Sequence, residues 1–417
     1  MKGWIIQNAT ELKAPLFDIT DRKTMTIAIT IAIVLIGIYL DYVAYKRIKS
    51  SSAGKYIRYS FLSLLTVSYL LIILTPFLMY FFINEQNCAF MMKLSMGMLT
   101  TYLALSIPRL LFYLFWLPTR RKCWLWVATT VSSALIITFI YSVFVTRTNY
   151  KVNKVELYYE NLPDEFNGYR FAFISDIHTG SMVNPEKEIN KISSIINSLD
   201  VDAIFFGGDI INVHHSELSE TLIGEYSHFK ACDGVFMVLG NHDTGAYIKN
   251  SNKAKREDNI AGLVSMMERA GWCVLKDSTV YIYRGNDSIS VTGIDYNEEL
   301  LEYKHSMDAV KGVDLGRIYN NVNDSVFNIT LSHLPQLWYS ICDGGFSDLT
   351  LSGHIHAMQM KFGSFSPARF MYKEWSGLYE REKGKLYIND GIGCVGYLAR
   401  FGGARPEITL IELRRKE

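Results

Sequence analysis

Four long apolar runs occupy the first third of the chain, at residues 24–44, 59–83, 90–117 and 124–145. A helix needs about 20 apolar residues to cross the hydrocarbon layer of a bilayer, so each run predicts a membrane-spanning helix. Buried core helices of a soluble protein are the alternative, and four such runs in succession argue against it. We therefore expect an all-α membrane domain over residues 1–148 and a second domain over residues 149–417.

The charges of the loops predict how this membrane domain is oriented. Basic residues concentrate after the first and the third run, namely Lys46, Arg47, Lys49, Lys55, Arg58, Arg120, Arg121 and Lys122. Short basic loops stay in the cytoplasm, so four spans would place the second domain outside it. Basic residues also precede the first run and follow the fourth, and these favour the opposite orientation.

Asp41 and Arg109 fall within the apolar runs, each toward one end. We expect either side chains that extend toward the membrane interface, as charged side chains near helix ends do, or span boundaries that are shifted past these residues. A functional group inside the membrane is the alternative.

The overall charge and the cysteines limit the classes of function. Forty-two basic and 41 acidic residues give a formal net charge of +1 without a basic block, so no nucleic-acid partner is expected. The six cysteines show no CxxC spacing, which leaves both buried thiols and disulfides open.

The second domain alternates short apolar strands with amphipathic helices. A helix is predicted from Pro185 to Asn197, because Asn184 can cap it and proline suits its first turn. Strands are predicted at residues 171–175, 203–207, 235–239, 288–294, 328–332, 349–352, 386–389 and 408–413. This order is typical of an α/β fold, and we expect layered, mixed sheets.

Five short polar motifs begin where predicted strands end. They are Asp176-Ile177-His178, Gly208-Asp209, Gly240-Asn241-His242-Asp243, Ser332-His333 and Gly353-His354-Ile355-His356. Ligands of open α/β sheets gather at the carboxyl ends of strands. Turn chemistry explains any one motif, but turns have no need of histidine. Carboxylates, imidazoles and one amide together predict a site for a pair of divalent cations.

The same motifs resemble those of the calcineurin-like metallophosphoesterases, whose pattern D-x-H, G-D, G-N-H-D/E, H and G-H-x-H is complete and in order here. The resemblance covers about residues 152–415 and implies an α/β/β/α sandwich. The chain end from Gly377 to Glu407 resembles a membrane-associated bacterial branch related to UDP-2,3-diacylglucosamine hydrolases. This part of the resemblance implies the inner membrane of a bacterium.

The resemblance also implies which residues bind the two cations. Asp209 would bridge them, and each cation would take three further ligands: Asp176, His178 and His356 for the first, and Asn241, His333 and His354 for the second. If the segment is extended, His354 and His356 share one face of it, because residues two apart in a strand do, and Gly353 leaves room for the turn. Mixed oxygen and nitrogen ligands favour manganese, iron or zinc over calcium.

His242 is the residue that the resemblance implies as catalytic without being a ligand. It would protonate the leaving alkoxide or stabilise the transition state, with Asp243 orienting its ring. A ring that only fills space beside the ligands is the alternative.

Residues beyond the motifs are candidates for substrate contacts. The segment after His356 combines apolar and basic side chains: Met358, Met360, Lys361, Phe362, Phe365, Arg369, Phe370, Met371, Tyr372, Lys373 and Trp375. It suits either a lipid phosphate or an ordinary hairpin over the sheet. Trp375, Arg400 and Arg405 are the candidate substrate-binding residues, with surface salt bridges as the alternative for the arginines. His214 and His215 follow the Asp209 turn and are further candidates.

The sequence thus predicts a membrane-anchored hydrolase that uses two divalent cations and water to cleave a phosphodiester or pyrophosphate. The anchor favours a lipid or envelope precursor as substrate and membrane lipids as partners, because a tethered domain samples the layer beside the bilayer. A phosphatase for soluble nucleotides or phosphoproteins is one alternative. A membrane sensor or scaffold with a structural metal site is another, although structural sites prefer closed coordination.

Overall fold

The computed structural model describes residues 22–416, except residues 52–53, 120, 302, 304–309, 311–312, 324 and 383, and over residues 22–33 it describes the backbone alone. The chain divides into two compact units, one comprising Met1–Leu70 and Leu105–Leu135 and the other Leu71–Ala104 and Ile136–Glu417. The second unit includes ends of the apolar helices as well as the α/β region. The predicted domain boundary between residues 148 and 149 stays a prediction.

Four helices form the N-terminal part: α1 Arg22–Lys49, α2 Lys55–Phe82, α3 Cys88–Trp116 and α4 Lys122–Phe144. Within the described residues, three segments are long and apolar enough to cross a membrane: Lys55–Met79, Cys88–Trp116 and Lys122–Thr148. The span predicted at residues 24–44 overlaps the stretch that is described by its backbone alone. It therefore stays a prediction.

Asp41 and Arg109 pair inside the first unit instead of extending toward the interface. Arg109 Nε lies 3.2 Å from Asp41 Oδ1, and the hydroxyls of Tyr69 and Tyr113 donate to the same carboxylate at 2.6 and 2.8 Å. Asp41 and Arg109 are both buried. The expectation of snorkelling side chains was wrong, because a buried charge is stabilised once a counter-charge and hydrogen-bond donors surround it.

The rest of the chain alternates strands and helices. The helices are α5 Pro185–Asn197, α6 Glu220–Tyr226, α7 Lys253–Arg269, α8 Glu298–Leu301, α9 Leu315–Tyr319 and α10 Trp338–Gly344. The strands are β1 Lys151–Tyr159, β2 Arg170–Ile174, β3 Ala203–Phe206, β4 Val235–Met237, β5 Cys273–Val274, β6 Ser278–Arg284, β7 Asp287–Gly293, β8 Phe327–Leu331, β9 Leu349–Ser352, β10 Met360–Lys361, β11 Gly377–Arg381, β12 Gly384–Ile388, β13 Phe401–Gly402 and β14 Glu407–Arg415.

Two mixed six-stranded sheets organise this region. The first has the order β1-β14-β2-β3-β4-β5 and the second β11-β12-β9-β8-β7-β6, while β10 and β13 form a separate pair. Strands β2, β3 and β4 are parallel neighbours in the first sheet, and β7, β8 and β9 are parallel neighbours in the second. The carboxyl ends of the central strands therefore lie at one edge of each sheet.

The side chains of each central strand alternate between two cores. Phe171 and Phe173 of β2 face a core that also contains Val291 of β7 and Ile329 of β8, so this core lies between the two sheets. Ala172 and Ile174 face the opposite core, which contains side chains of α5, α6 and α7. Helix α10 packs on the outer face of the second sheet through Trp338 and Leu386. The predicted α/β/β/α layering is confirmed.

Candidate metal centre

The motifs follow five of these central strands. Asp176 comes two residues after β2 ends, Asp209 three after β3, and Asn241 four after β4. In the second sheet, His333 comes two residues after β8 and His354 two after β9. Since these strands are parallel neighbours within their sheets, their loops emerge at the same edge. The fold thereby brings together residues that are up to 180 positions apart in the sequence, from Asp176 to His356.

Sharp backbone turns aim the side chains inward. Five of the seven predicted ligands have positive φ angles: Asp176 at 53°, His178 at 47°, Asp209 at 62°, His354 at 75° and His356 at 54°. Left-handed backbone is uncommon for residues other than glycine and costs free energy that the surrounding structure must supply. Such conformations concentrate at functional sites, and the five left-handed residues therefore indicate a functional site at this edge of the sheets.

Asp176, His178 and His356 form the first group of donor atoms. His356 Nε2 lies 3.1 Å from Asp176 Oδ1 and 3.2 Å from His178 Nε2. All three residues are buried. Their donor atoms fall within 4.8 Å of one another, close enough for a single cation to contact all of them.

Asn241, His333 and His354 form the second group. The side-chain oxygen of Asn241 lies 3.1 Å from His333 Nε2 and 2.9 Å from His354 Nδ1. The amide nitrogen of Asn241 donates to the Tyr247 hydroxyl at 2.9 Å, which turns its oxygen toward the two imidazoles. Tyr247 has no motif spacing, and the sequence offered no signal for this role.

Asp209 lies between the two groups. Its Oδ2 is 3.2 Å from His333 Nε2 in the second group and 3.7 Å from His178 Nε2 in the first. Its other oxygen accepts the backbone N–H of His242 at 2.8 Å. One carboxylate oxygen of Asp209 is thereby held within reach of both groups, as a bridging ligand requires.

His354 and His356 approach different groups, although not by the expected geometry. The segment is not extended, because both residues are left-handed and Ile355 between them has φ −90° and ψ −27°. The turn sends His354 toward Asn241 and His356 toward Asp176. A Cβ atom at Gly353 would collide with the carboxylate of Asp176, so this turn requires glycine.

Burial and neighbouring charges set the protonation of the donors. Burial lowers the pKa of His178 well below its usual value and that of His354 to about 3, so both rings are neutral near pH 7. Burial also lowers the pKa of His333, but the Asp209 carboxylate outweighs it and raises this pKa to about 9. Burial opposes ionisation of Asp209, yet His333 and His242 hold its pKa well below the usual range.

These donors fit divalent cations. The Nε2 atoms of His178 and His356 converge to 3.2 Å, and two lone pairs aimed at one point are stabilised when a cation lies between them. His333 donates a hydrogen bond from Nδ1 to the carbonyl of Gly207 at 2.7 Å. Its Nε2 is therefore the nitrogen that faces the site and would bind a cation. Imidazoles, carboxylates and an amide oxygen suit manganese, iron or zinc, whereas calcium prefers oxygen alone.

His242 lies at the open side of the site. His242 and the predicted ligand His354 are partly exposed, whereas the other six predicted ligands are buried. His242 Nδ1 donates to the carbonyl of Asn212 at 2.7 Å, and its ring stacks on Tyr247 with 4.2 Å between centroids. These contacts fix the ring and leave Nε2 as its free nitrogen. Asn212 also approaches His178 Nδ1 at 3.3 Å, a role that only its position three residues after Asp209 could have suggested.

Asp243 does not orient the ring of His242, contrary to the prediction. Its carboxylate accepts the backbone N–H groups of Asp209, Ile210, Ile211 and Gly240 at 2.7 to 3.1 Å. Asp243 is fully buried and acts on the loop that carries Asp209. Burial, followed by the charge of Asp209, raises the pKa of Asp243 to about 7.

The candidate substrate-binding residues have other partners. Arg400 is completely buried, and its guanidinium donates to the carbonyls of Asp390, Gly393 and Ala404. Arg405 donates to Asn149 and Tyr150. The guanidinium of Arg400 is thus held by backbone carbonyls, as buried donors usually are. Substrate binding by Arg400 or Arg405 stays a prediction.

The remaining candidates also lie outside the groups of donor atoms. The Trp375 ring lies under the ammonium of Lys361 at 5.5 Å, and its backbone N–H donates to the Tyr379 hydroxyl at 3.0 Å. His214 and His215 stack on each other with 4.1 Å between ring centroids. No contact joins Trp375, His214 or His215 to a predicted ligand among the described residues, and their contact with substrate stays a prediction.

Residues 169–358 match the family model of the calcineurin-like phosphoesterases, and the chain therefore carries a calcineurin-like metallophosphoesterase domain. The prediction made from the five motifs is confirmed at this level. The closer resemblance to a bacterial branch related to UDP-2,3-diacylglucosamine hydrolases stays a prediction.

Two curated relatives match this region, one a transmembrane protein and the other a bacterial protein. A transmembrane protein with metallophosphoesterase domain from Danio rerio is 29% identical over 272 residues, which are 64% of this chain and 57% of that protein. An uncharacterized metallophosphoesterase from Helicobacter pylori is 24% identical over 267 residues, 64% of each chain. The chain thus covers less than two thirds of either relative. The three candidate spans and the first relative together indicate a membrane protein.

A solved structure was also found, of a dimetal phosphatase from Danio rerio. It has 13% identity and a TM-score of 0.34, and the match covers 54% of this chain and 88% of that one. Because the TM-score is this low, the structural similarity adds nothing to the match with the family model.

Proposed function

We propose that the α/β region hydrolyses phosphoric esters with two divalent cations and water as the attacking group. The position of Asp209 carries this proposal, because its Oδ2 lies 3.2 Å from His333 and 3.7 Å from His178. A carboxylate between two sets of metal-binding side chains is the arrangement that holds two cations about 3.5–4 Å apart. A purely structural metal site would have closed coordination and no need for a partly exposed ring such as His242.

Asp176, His178 and His356 would hold one cation, and Asn241, His333 and His354 the other, with Asp209 shared. Bound cations of this kind polarise a phosphoryl group and lower the pKa of water into the neutral range. Manganese, iron and zinc all fit the donors. The protein's own contribution is to fix the donor atoms through the left-handed turns and through Asp243, so that little rearrangement is needed during the reaction.

His242 is proposed as the proton donor to the leaving oxygen. Its Nδ1 donates to the Asn212 carbonyl, and the ring stacks on Tyr247. These two contacts fix the ring at the open side of the site and leave Nε2 available for a proton. Because Nδ1 carries the proton that is donated to Asn212, Nε2 first takes a proton from water at the open side of the site. The resulting imidazolium delivers this proton to the leaving alkoxide and returns to the neutral ring. Asp243 has no part in this step and is proposed to position the Asp209 loop.

The proposed substrate is a phosphodiester or pyrophosphate in a lipid or envelope precursor. The adjoining membrane spans support this class, because they confine the site to the layer beside the bilayer. An enzyme for soluble nucleotides or phosphoproteins would need no such anchor.

We further propose that the site faces the extracytoplasmic side of a bacterial inner membrane. Ser216 donates a hydrogen bond to the carbonyl of Glu85, which lies between α2 and α3. This contact supports a location of the site on the side of that loop, and the basic loops at residues 46–58 and 120–122 favour the cytoplasm.

The test is turnover by the purified full-length protein in detergent with Mn²⁺. Substrates are a 4-nitrophenyl phosphodiester, a lipid-linked nucleotide and a soluble nucleotide. We expect hydrolysis that disappears in Asp209→Ala and Asn241→Ala, with the lipid-linked substrate preferred. Hydrolysis that persists unchanged in both variants would overturn the two-cation proposal, and preference for the soluble nucleotide would favour the alternative substrate class.

A further inference from the structure

Residues 358–371, which begin two positions after the ligand His356, expose an unusual amount of apolar surface. Ten large apolar side chains are exposed among the described residues after 149, and five of them belong to these 14 residues: Met358, Phe362, Phe365, Phe370 and Met371. Phe370 is 78% exposed and Phe362 is 51% exposed. Contiguous exposed apolar surface of this kind marks a site of contact with a protein or a membrane.

The aromatic side chains of this segment form one patch. Phe362 and Phe365 pair through two backbone hydrogen bonds of 2.8 and 3.1 Å, which close a tight hairpin. The ring of Phe365 in turn lies 5.9 Å from that of Phe370. The patch is thus presented by an ordered hairpin with an apolar tip.

The base of the hairpin packs on the parts of α3 and α4 that belong to the same compact unit as the α/β region. Its strand β10 pairs with β13, and Phe401 of β13 packs edge-to-face on Phe139 of α4 with 4.9 Å between ring centroids. Met360 of β10 joins the same apolar cluster, together with Leu103 of α3.

These contacts lie at the depth of the hydrocarbon layer. Leu103 is the sixteenth residue of the 29-residue span Cys88–Trp116, and Phe139 is the eighteenth of the 27-residue span Lys122–Thr148. About 20 helical residues cross the layer, so both residues fall inside it whichever end of each span protrudes. The part of the α/β region that packs on them therefore lies at membrane depth.

Three backbone groups of the irregular segment at this level are satisfied by protein side chains. The Leu398 N–H donates to the hydroxyl of Thr100 on α3 at 2.7 Å. The side-chain amide of Gln359 donates to the carbonyls of Tyr397 and Ala399 at 3.1 and 3.2 Å. Irregular backbone is tolerated at membrane depth only where protein groups satisfy its polar atoms.

The charges around the patch suit the headgroup layer. Arg369 is exposed, and the Lys373 side chain is 80% exposed. Lys361 binds Asp390. Glu374 accepts from the Tyr339 hydroxyl and lies 4.0 Å from the Lys373 ammonium. Cations beside an apolar tip attract anionic lipid headgroups.

We propose that residues 358–371 insert into the bilayer beside α3 and α4. The partner is an anionic lipid surface. Since the hairpin follows His356 directly, the metal centre opens toward the headgroup layer, and its substrate is a phosphorylated lipid that stays in the bilayer during hydrolysis. Only this last point rests on the proposed function.

The insertion is tested in full-length protein reconstituted into nanodiscs that contain phosphatidylglycerol. The exposed Cys123, Cys232 and Cys273 are first replaced by serine. An environment-sensitive fluorophore is then attached to Phe370→Cys or, as a matched control, to Tyr283→Cys, because Tyr283 is 71% exposed on β6. We expect blue-shifted emission and several-fold stronger quenching by spin-labelled lipids at position 370 than at position 283.

An aqueous spectrum at position 370 would overturn the insertion. A blue-shifted spectrum without quenching by spin-labelled lipids would overturn it equally, because it would indicate that protein covers the patch. Neither reading depends on catalysis, so the insertion can be established even if the proposed hydrolysis fails.

The substrate class is tested with the double variant Phe362→Asp/Phe370→Asp and with Tyr283→Asp as control. We expect the double variant to lose about tenfold of the turnover of a lipid phosphodiester in vesicles while keeping turnover of its water-soluble short-chain analogue. Equal retention of both activities would overturn the lipid route, and so would equal loss in a variant with unchanged thermal stability. A wild-type protein that hydrolyses neither substrate would contradict the proposed function instead.

Discussion

The carboxylate of Asp243 accepts the backbone N–H of Asp209 at 2.7 Å, so the residue after the proposed proton donor holds the proposed bridging ligand in place. Three further N–H groups, from Ile210, Ile211 and Gly240, complete the shell around this carboxylate. The Asp209 loop is thereby fixed by a side chain 34 residues away in the sequence.

Asp243→Asn is expected to destabilise the fold by about 2–4 kcal/mol, because its NH₂ group would face backbone N–H donors in a buried site. Thermal unfolding in detergent measures this loss. The variant should also bind metal more weakly, while the dependence of its residual turnover on the leaving group stays that of the wild type. Wild-type stability in Asp243→Asn would contradict the role assigned here.

Asp209→Asn tests the bridging ligand through binding instead of turnover. Saturating Mn²⁺ at about 100 times its dissociation constant should stabilise the wild-type protein by about 2.7 kcal/mol, and removing the metal with EDTA should reverse this. In Asp209→Asn we expect little or no stabilisation, because the shared carboxylate is lost. The control is Glu257→Gln, which alters an exposed pair with Lys253. A full Mn²⁺ response in Asp209→Asn would rule out the bridge.

His242→Asn separates proton donation from a space-filling role. We expect kcat to fall about 10²–10⁴-fold for a substrate with an alkyl leaving group, because an alkoxide needs a proton as it departs. The fall should be much smaller for a 4-nitrophenyl ester, whose leaving group is stable as an anion. Equal losses on both substrates would assign the ring to positioning alone.

Glu217 should make stability depend on pH. Its carboxylate accepts the N–H groups of Asn212, Val213 and His214, but burial outweighs them and raises the pKa of Glu217 from 4.5 to about 7. The folded state therefore binds the proton more tightly than the unfolded state. The stabilisation that comes from this bound proton is fully present below about pH 4.5. It is lost as the pH rises to about 7, which lowers the free energy of unfolding by at most about 3 kcal/mol.

The measurement for Glu217 is a pH series of unfolding midpoints for the wild type and for Glu217→Gln. Glutamine does not titrate, so the difference between the two proteins isolates this carboxyl from other groups such as Asp243. We expect that difference to change between pH 4.5 and 7 in favour of the variant. A difference that stays constant over this range would show that the pKa of Glu217 is ordinary in the folded protein.

Arg400→Lys should affect stability more than substrate binding. The guanidinium donates to three backbone carbonyls, and a lysine can satisfy fewer of them from the same position. We expect a loss of about 1–3 kcal/mol in unfolding free energy and an unchanged KM. A raised KM at unchanged stability would restore Arg400 as a substrate contact.

The sequence by itself determined eight strands of the described α/β region, its layered α/β class and the residues that gather at the site. Short apolar runs followed directly by Asp176, Asp209, Asn241, His333 and His354 are local patterns, and parallel strands bring their carboxyl ends to one edge whatever the rest of the fold does. The long apolar runs likewise predicted the membrane spans, because crossing the hydrocarbon layer depends on length and composition alone.

Only the tertiary structure decided which partner each polar side chain takes. Asp243 binds the Asp209 loop instead of His242, Arg400 binds backbone carbonyls, and Asp41 pairs with Arg109 inside the bundle. A buried polar group binds whichever donor or acceptor the fold brings nearest, and that neighbour is usually distant in the sequence. The spacing of the motifs along the sequence therefore predicts which residues meet at the site. The roles of individual side chains depend on contacts that exist only after folding.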